Sequence, residues 1–236
     1  MDFSRKFYGV SGFACLIFIV VLYVIFSPVI CAKFSVNNEE CGPLTIKSIV
    51  IAQSSDTRNI SITYPQISGI EPVHLEQALN DSIKRKFLQF YADEDSIELI
   101  IRYNVILNRP EIVSIKGECY RYKWRMANGI NRVMSVVIDR NNGKILHLND
   151  ILNKGYEPFL NRYIKNYLDG KLDVSFFEAM RGDQSFCINE DGIEIYFDEY
   201  EAAPGSWGTV TVPIPFDSLV PIMKQDSPVQ KMVGIK

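Results

Sequence analysis

Two periods of apolar spacing alternate along the chain from Leu44 onward. Leu44–Ala52 and Asn59–Tyr64 are rich in β-branched residues and read as strands. Pro65–Pro72, with Gly69, reads as a loop. Over Val73–Tyr91 the apolar positions Leu75, Leu79, Ile83, Phe87 and Phe90 recur every three or four residues, which is one face of a helix. Lys84, Arg85 and Lys86 fall in its C-terminal half, where the macrodipole favours cations. Strict alternation then returns in Glu98–Asn108 and Ile112–Trp124. In the second of these, Tyr120, Tyr122 and Trp124 share one side, and Arg121, Lys123 and Arg125 the other. That pattern predicts one buried and one solvated strand face. Asn128-Gly129 and Asn142-Gly143 are hairpin turns that frame Ile130–Asp139 and lead into Lys144–Leu148. Helical spacing reappears over Tyr156–Leu168 and closes at Asp169-Gly170, and Phe176–Met180 adds a short helical turn. Ser185–Ile188, Ile193–Phe197 and Thr209–Ile214 are three further strands, and Gln225–Lys236 is expected to trail.

Few helices among many hairpin-linked strands predict an α+β fold of antiparallel sheets, each covered by a helix. The order divides into residues 44–140 and 141–222, with one helix each and a tail over 223–236.

The N-terminus is a separate object. Val10–Phe26 carries no charge, and after Ser27-Pro28 the apolar run resumes as far as Lys33. At about 1.5 Å per residue, residues 9–32 are long enough to cross a bilayer. Arg5 and Lys6 put the short leading end in the cytoplasm and everything after Lys33 outside. Residues 1–32 serve as a signal anchor, or are cut after Ala32 as a signal peptide, releasing the rest to the periplasm. The length of the run favours the anchor. Lys33–Pro43 is a tether, and the leading residues are too few to fold, so function is expected outside the membrane.

Composition narrows the classes. Of 236 residues 47% are hydrophobic and 22% charged, with 14 Gly and 11 Pro, which excludes collagen-like and wholly disordered chains. The net charge is −3, but Gly182–Met223 holds no Lys or Arg and eight acidic residues. This stretch is either a solvated face or a negative patch that steers a cationic partner. Two His and no Cys-x-x-Cys give no metal or cofactor signature. Cys41, Cys119 and Cys187 lie beyond the apolar segment, and their odd number leaves at least one unpaired. A Cys119–Cys187 bridge is one of three pairings.

No catalytic residue emerges. Gly205-Ser206-Trp207-Gly208 is not a nucleophile elbow, and His74 and His147 have no Ser or Cys elbow to serve. Glu194, Tyr196 and Asp198 share a strand face, and a carboxylate pair there is the basis of the alternative reading, an enzyme acting on cell-wall glycan. The basic and aromatic stripe of Ile112–Trp124 is explained by strand faces, and no nucleic-acid partner is expected in this compartment. The most distinctive segment is Ile193–Leu219, a strand, a loop with Gly205 and Gly208, and a strand ending at Pro213 and Pro215. Tyr196, Asp198, Glu199, Tyr200, Glu201 and Trp207 are its candidate partner-binding residues, with acids to steer and aromatics to anchor.

The run IEIYF, then DEYEAAP, then VTVPIPF resembles the C-terminal domain of unknown function in the ectodomain of the anti-sigma-V factor. Asn142–Leu152 (NGKILHLNDIL) resembles the opening motif of that domain, and Ile62–Gly69 resembles the smaller domain that precedes it. The pair also occurs beside polysaccharide deacetylase domains. The resemblance spans roughly Leu44–Pro221. It implies an α+β, non-catalytic, membrane-anchored binding module whose partner is c-type lysozyme, a cationic protein, or a cell-wall component. The short cytoplasmic end departs from that family, so a sigma-factor-binding arm does not carry over.

Overall fold

A computed structural model of the protein describes residues 44–91, 97–171 and 174–234. The apolar segment, the tether and Cys41 lie outside the described residues. No helix among the described residues is long and apolar enough to cross a membrane.

The first half builds one sheet of six strands in the order β1-β2-β3-β4-β5-β6. These are β1 (Thr45–Ser54), β2 (Arg58–Ser68), β3 (Ile97–Asn108), β4 (Ile112–Lys123), β5 (Ile130–Asp139) and the two-residue β6 (Lys144–Ile145). Four of the five joints are antiparallel, as expected. The fifth is not. Helix α1 (Val73–Leu88) carries the chain back along the sheet, so β3 enters parallel to β2, pairing Arg58–Ile62 with Ile97–Ile101. Strand β2 also runs through Pro65 to Ser68, where a loop was expected, with Pro65 opposite Ser48. It parts from β3 after Ile62, so a residue without an N–H is tolerated there.

Two helices, α2 (Leu148–Ile151) and α3 (Glu157–Leu168), lead to a three-stranded antiparallel sheet of β7 (Phe186–Ile188), β8 (Gly192–Phe197) and β9 (Val210–Pro215). Helix α4 (Phe216–Leu219) follows, and the expected tail instead forms α5 (Pro228–Val233). The Ser227 hydroxyl accepts from Gln230 N at 3.2 Å, Pro228 occupies the first turn, and Val229 is buried. One buried residue per turn was too short a signal for periodicity to detect.

The cores follow from the two helices. Leu79, Ile83 and Phe87 of α1 pack on Ile62, Leu99, Ile101 and Met134 of the large sheet. Gly117 permits this approach, since a Cβ there would stand 2.8 Å from the Phe87 ring. Leu160, Ile164 and Leu168 of α3 cluster with Ile188, Ile195, Phe197 and Val212, joined by Leu107, Ile112 and Val137 of the large sheet. The three-stranded sheet is therefore docked on the side of the large sheet opposite α1, over one end of β4 and β5.

Polar side chains register that docking. The outward amides of Phe186 and Ile188 donate to Ser135 Oγ and Ser114 Oγ, each at 2.9 Å. The Ser185 hydroxyl donates to Val133 O at 3.2 Å. Hydroxyls of one sheet thus take the place of a fourth strand beside β7. The Cys119–Cys187 bridge does not form. Cys119 sits in the α1-side core, Cys187 lies with Val133 and Tyr196 on the other side, and both are free thiols. Burial pushes the Cys119 thiol up to about 12 and the Cys187 thiol up to about 11.

Candidate functional site

Strand β8 ends at Phe197, and the chain then makes a tight turn closed by Glu201 N donating to Asp198 O at 3.1 Å. Tyr200 stands at the third position of this turn with φ +69°, a conformation glycine ordinarily supplies. Strain of about 1–3 kcal/mol is the expected cost. The turn is held from several directions. Asp198 Oδ1 accepts from Val133 N at 2.8 Å, and Glu199 Oε2 accepts from both the backbone amide and the side-chain amide of Asn131 at 2.8 Å. Glu201 Oε2 accepts from Asp198 N at 2.7 Å, while its Oε1 pairs with Arg181 Nη1 at 2.5 Å.

Asn131 and Val133 are the outward-facing amides of β5 in the stretch that β6 does not cover. Two carboxylates therefore cap a strand edge, as the two serines cap β7 in the other direction. Asp198, Glu199 and Glu201 were expected to steer a partner; Asp198 and Glu199 instead bind the loop to the sheet, and Glu201 closes the turn and pairs with Arg181. Tyr196 was expected at the surface and is buried. Its hydroxyl donates to Glu194 Oε2 at 2.5 Å, and Lys116 Nζ lies 4.9 Å from its ring centre. Burial, with the neighbouring Cys187 and Glu194, holds this phenol well above its ordinary pKa, so it remains a neutral donor. Glu194 and Tyr196 do share a face, as the alternation predicted. Glu194 Oε1 is taken by Asn189 Nδ2 at 3.2 Å.

The aromatics behave differently. Tyr200 is 58% exposed and Trp207 59%. The Tyr200 ring rests on Gly205, where a Cβ would stand 2.1 Å from Cζ. Trp207 ends a single 3-10 turn, Gly205–Trp207, closed by Gly208 N donating to Gly205 O at 3.0 Å. Its side chain borders a cleft of about 500 Å³ between the loop and the uncovered part of the large sheet. The sheet contributes Ile100, Arg102, Tyr120 and Asn131. Arg102 is exposed and has no ion-pair partner among the described residues. A lone arginine in the apolar run IELIIRYNVIL was the signal that could have marked it. No group of three His, Cys, Asp or Glu among the described residues is placed to hold a metal ion. His74 and His147 lie away from the cleft, on α1 and at the start of α2.

The loop, β7–β9 and α3 fall within one stretch of sequence, residues 149–217, that matches the family model described as "Protein of unknown function (DUF3298)". That match covers under a third of the chain. The chain is also similar to the anti-sigma-V factor RsiV of Bacillus subtilis (strain 168), at 24% identity over 194 residues, covering 72% of this chain and 67% of that protein. Among solved structures, a DUF3298 family member from Bacteroides fragilis has a TM-score of 0.64 at 17% identity, over 84% of this chain and all of the other. A second, from Pseudomonas aeruginosa PAO1, has a TM-score of 0.55 at 17% identity over 78% and 96%. These two share the fold. In this chain the matched segment supplies the loop and its carboxylates, while the β5 edge that they cap lies upstream of it.

Proposed function

We propose that the chain is an extracytoplasmic binding module, tethered to the membrane by its N-terminal apolar segment, that recognises a protein partner through Trp207 and Tyr200 and does no chemistry on it. The observation that carries this reading is the contrast within one loop. The loop's carboxylates Asp198, Glu199 and Glu201 are engaged in fixing it, while its two large aromatics stand in solvent on a fixed frame. Exposed aromatics on a preorganised surface are anchors of protein interfaces. Glu194 and Asp198, the carboxylates of the glycan-hydrolase alternative, are occupied by a phenol, an amide side chain and a backbone amide.

The similarity to an anti-sigma factor and the ligand that the resemblance implies make c-type lysozyme the first partner to test. Asp183, Asp191 and Asp217 remain exposed to favour a cationic protein. Calorimetry of the full chain in nanodiscs against lysozyme, at low and physiological salt, is the test. Micromolar or tighter binding is expected, weakened by salt and by about tenfold or more in Trp207→Ala. The absence of heat at both salt concentrations overturns lysozyme as the partner, and binding that Trp207→Ala leaves unchanged overturns the anchor.

A further inference from the structure

The aromatic side of β4 was expected to be buried, and it is not. The three-stranded sheet covers only the far end of the large sheet, so Tyr120 and Tyr122 are half-buried and Trp124 is 66% exposed. Tyr120 and Tyr122 lie at alternate positions on one face of β4, about 7 Å apart along the strand, and Trp124, in the turn just past its end, borders the same hollow as Tyr122. The Tyr120 ring rests on Gly129, where a Cβ would stand 2.3 Å from the ring. Two hollows follow the row. Tyr120 shares the larger cleft with Arg102, and Tyr122 and Trp124 border a second hollow of about 200 Å³ with Asn59 and Glu98. Hydrogen-bonding groups thus flank the rings, with Arg102 and Asn131 in the larger cleft and Asn59 and Glu98 in the smaller.

Charge selects further. Two carboxylates on this face are engaged, Glu118 with Lys116 Nζ at 2.8 Å and Glu98 with Asn59 Nδ2 at 3.3 Å, while Asp56 is exposed at the rim of the smaller hollow, away from Arg102. Arg102, across from Glu118 in the register, is the cation of the larger cleft that has no ion-pair partner among the described residues. Its planar fork suits a carboxylate.

We propose that the Tyr120–Tyr122–Trp124 row with Arg102 is a binding platform for a glycan strand whose sugars carry carboxylates. The apolar C–H faces of pyranose rings stack on the aromatics. Asn59 and Glu98 meet hydroxyls, and Arg102 takes an acidic substituent. The platform meets the Trp207–Tyr200 anchor at the larger cleft, which Trp207 also borders, but Tyr122 and Trp124 line the other hollow, and the proposal stands whether or not lysozyme binds at the anchor.

The test uses the full chain in nanodiscs, with two probes. One is a peptide-free strand alternating N-acetylglucosamine and N-acetylmuramic acid; the other is a neutral N-acetylglucosamine hexamer. Binding is read by calorimetry and by the fluorescence of Trp124. The acidic strand is expected to bind more tightly than the neutral hexamer. Tyr122→Ala and Trp124→Ala are expected to weaken it about fivefold to tenfold each, the share of one aromatic contact. Tyr122→Phe keeps the ring and is expected to keep the binding, which separates stacking from loss of fold. Arg102→Gln is expected to abolish the preference for the acidic strand while leaving the hexamer unchanged. Failure of both probes at millimolar concentration overturns the proposal. So does a preference that survives Arg102→Gln, or a peptide ligand that competes for the row in place of glycan. Lysozyme titrated into the Tyr122→Ala protein reports separately on the other surface.

Discussion

Asp198 distinguishes a capping carboxylate from a steering one. Replacing it by alanine leaves the Val133 amide without its acceptor at a position that is 6% exposed. A hydrogen bond from a buried amide to a charged acceptor is worth about 1.5–3 kcal/mol. The Arg132 pair at 3.9 Å, with the guanidinium half-exposed, adds about 0.5 kcal/mol at most. Asp198→Ala is therefore expected to destabilise by about 2–3 kcal/mol. Asp198→Asn retains an amide oxygen in the same place and is expected to cost about 1 kcal/mol, the charged share of the bond. Urea unfolding of the full chain in mild detergent measures both, read by the fluorescence of Trp207 on the loop and Trp124 on the sheet. Equal losses in the two variants, or no loss in Asp198→Ala, refute the cap. Association with a cationic partner supplies an independent reading. A steering charge is lost equally in both variants, whereas a cap survives in the asparagine form and keeps the anchor loop in place.

Other outcomes follow from the same geometry. Gly192→Ala puts a Cβ 2.1 Å from the Ile214 carbonyl oxygen, so β8 and β9 must separate, and a loss of at least about 1–3 kcal/mol is expected in the same unfolding assay. Asp150 is depressed in pKa: burial alone would raise it, but the Lys144 ammonium and the His147 amide outweigh burial. A depressed acid contributes stability that is fully present above its unfolded pKa of about 3.9 and is lost as pH falls through the lower folded value. Asp150→Asn is thus expected to flatten the loss of stability below about pH 4; a variant that titrates like the wild type refutes this. Cys119 and Cys187, pushed up to about 12 and about 11, are expected to resist iodoacetamide at pH 8 in the folded protein and to react in urea. Modification before unfolding, followed by mass spectrometry, contradicts their placement.

Local pattern carried most of the elements. Ile130–Asp139 has the limits that its flanking turns set, and the helix of Leu79, Ile83 and Phe87 faces the side its spacing indicates. Features that depend on distant partners were not legible. The parallel joint arises from where α1 delivers the chain. The exposure of Tyr122 and Trp124 arises from how far the second sheet reaches. Asp198 and Val133 are 65 residues apart, so a carboxylate in an acid-rich loop gave no sign that a strand edge awaited it. Ser114 is the clearest missed signal: a serine inside IVSI, fully buried, has to satisfy something, and it accepts Ile188 N.

The capping of β7 by serines of the large sheet, and of β5 by carboxylates of the loop after β8, also makes the assembly single-valued. Apolar faces alone would let two sheets slide past each other with little change in buried area. Here a slip of two residues would strand the amides of Phe186, Ile188, Asn131 and Val133 at once, each an unpaid buried or half-buried donor. The two sheets therefore have one seating, and the position of Trp207 relative to the large sheet is inherited from it.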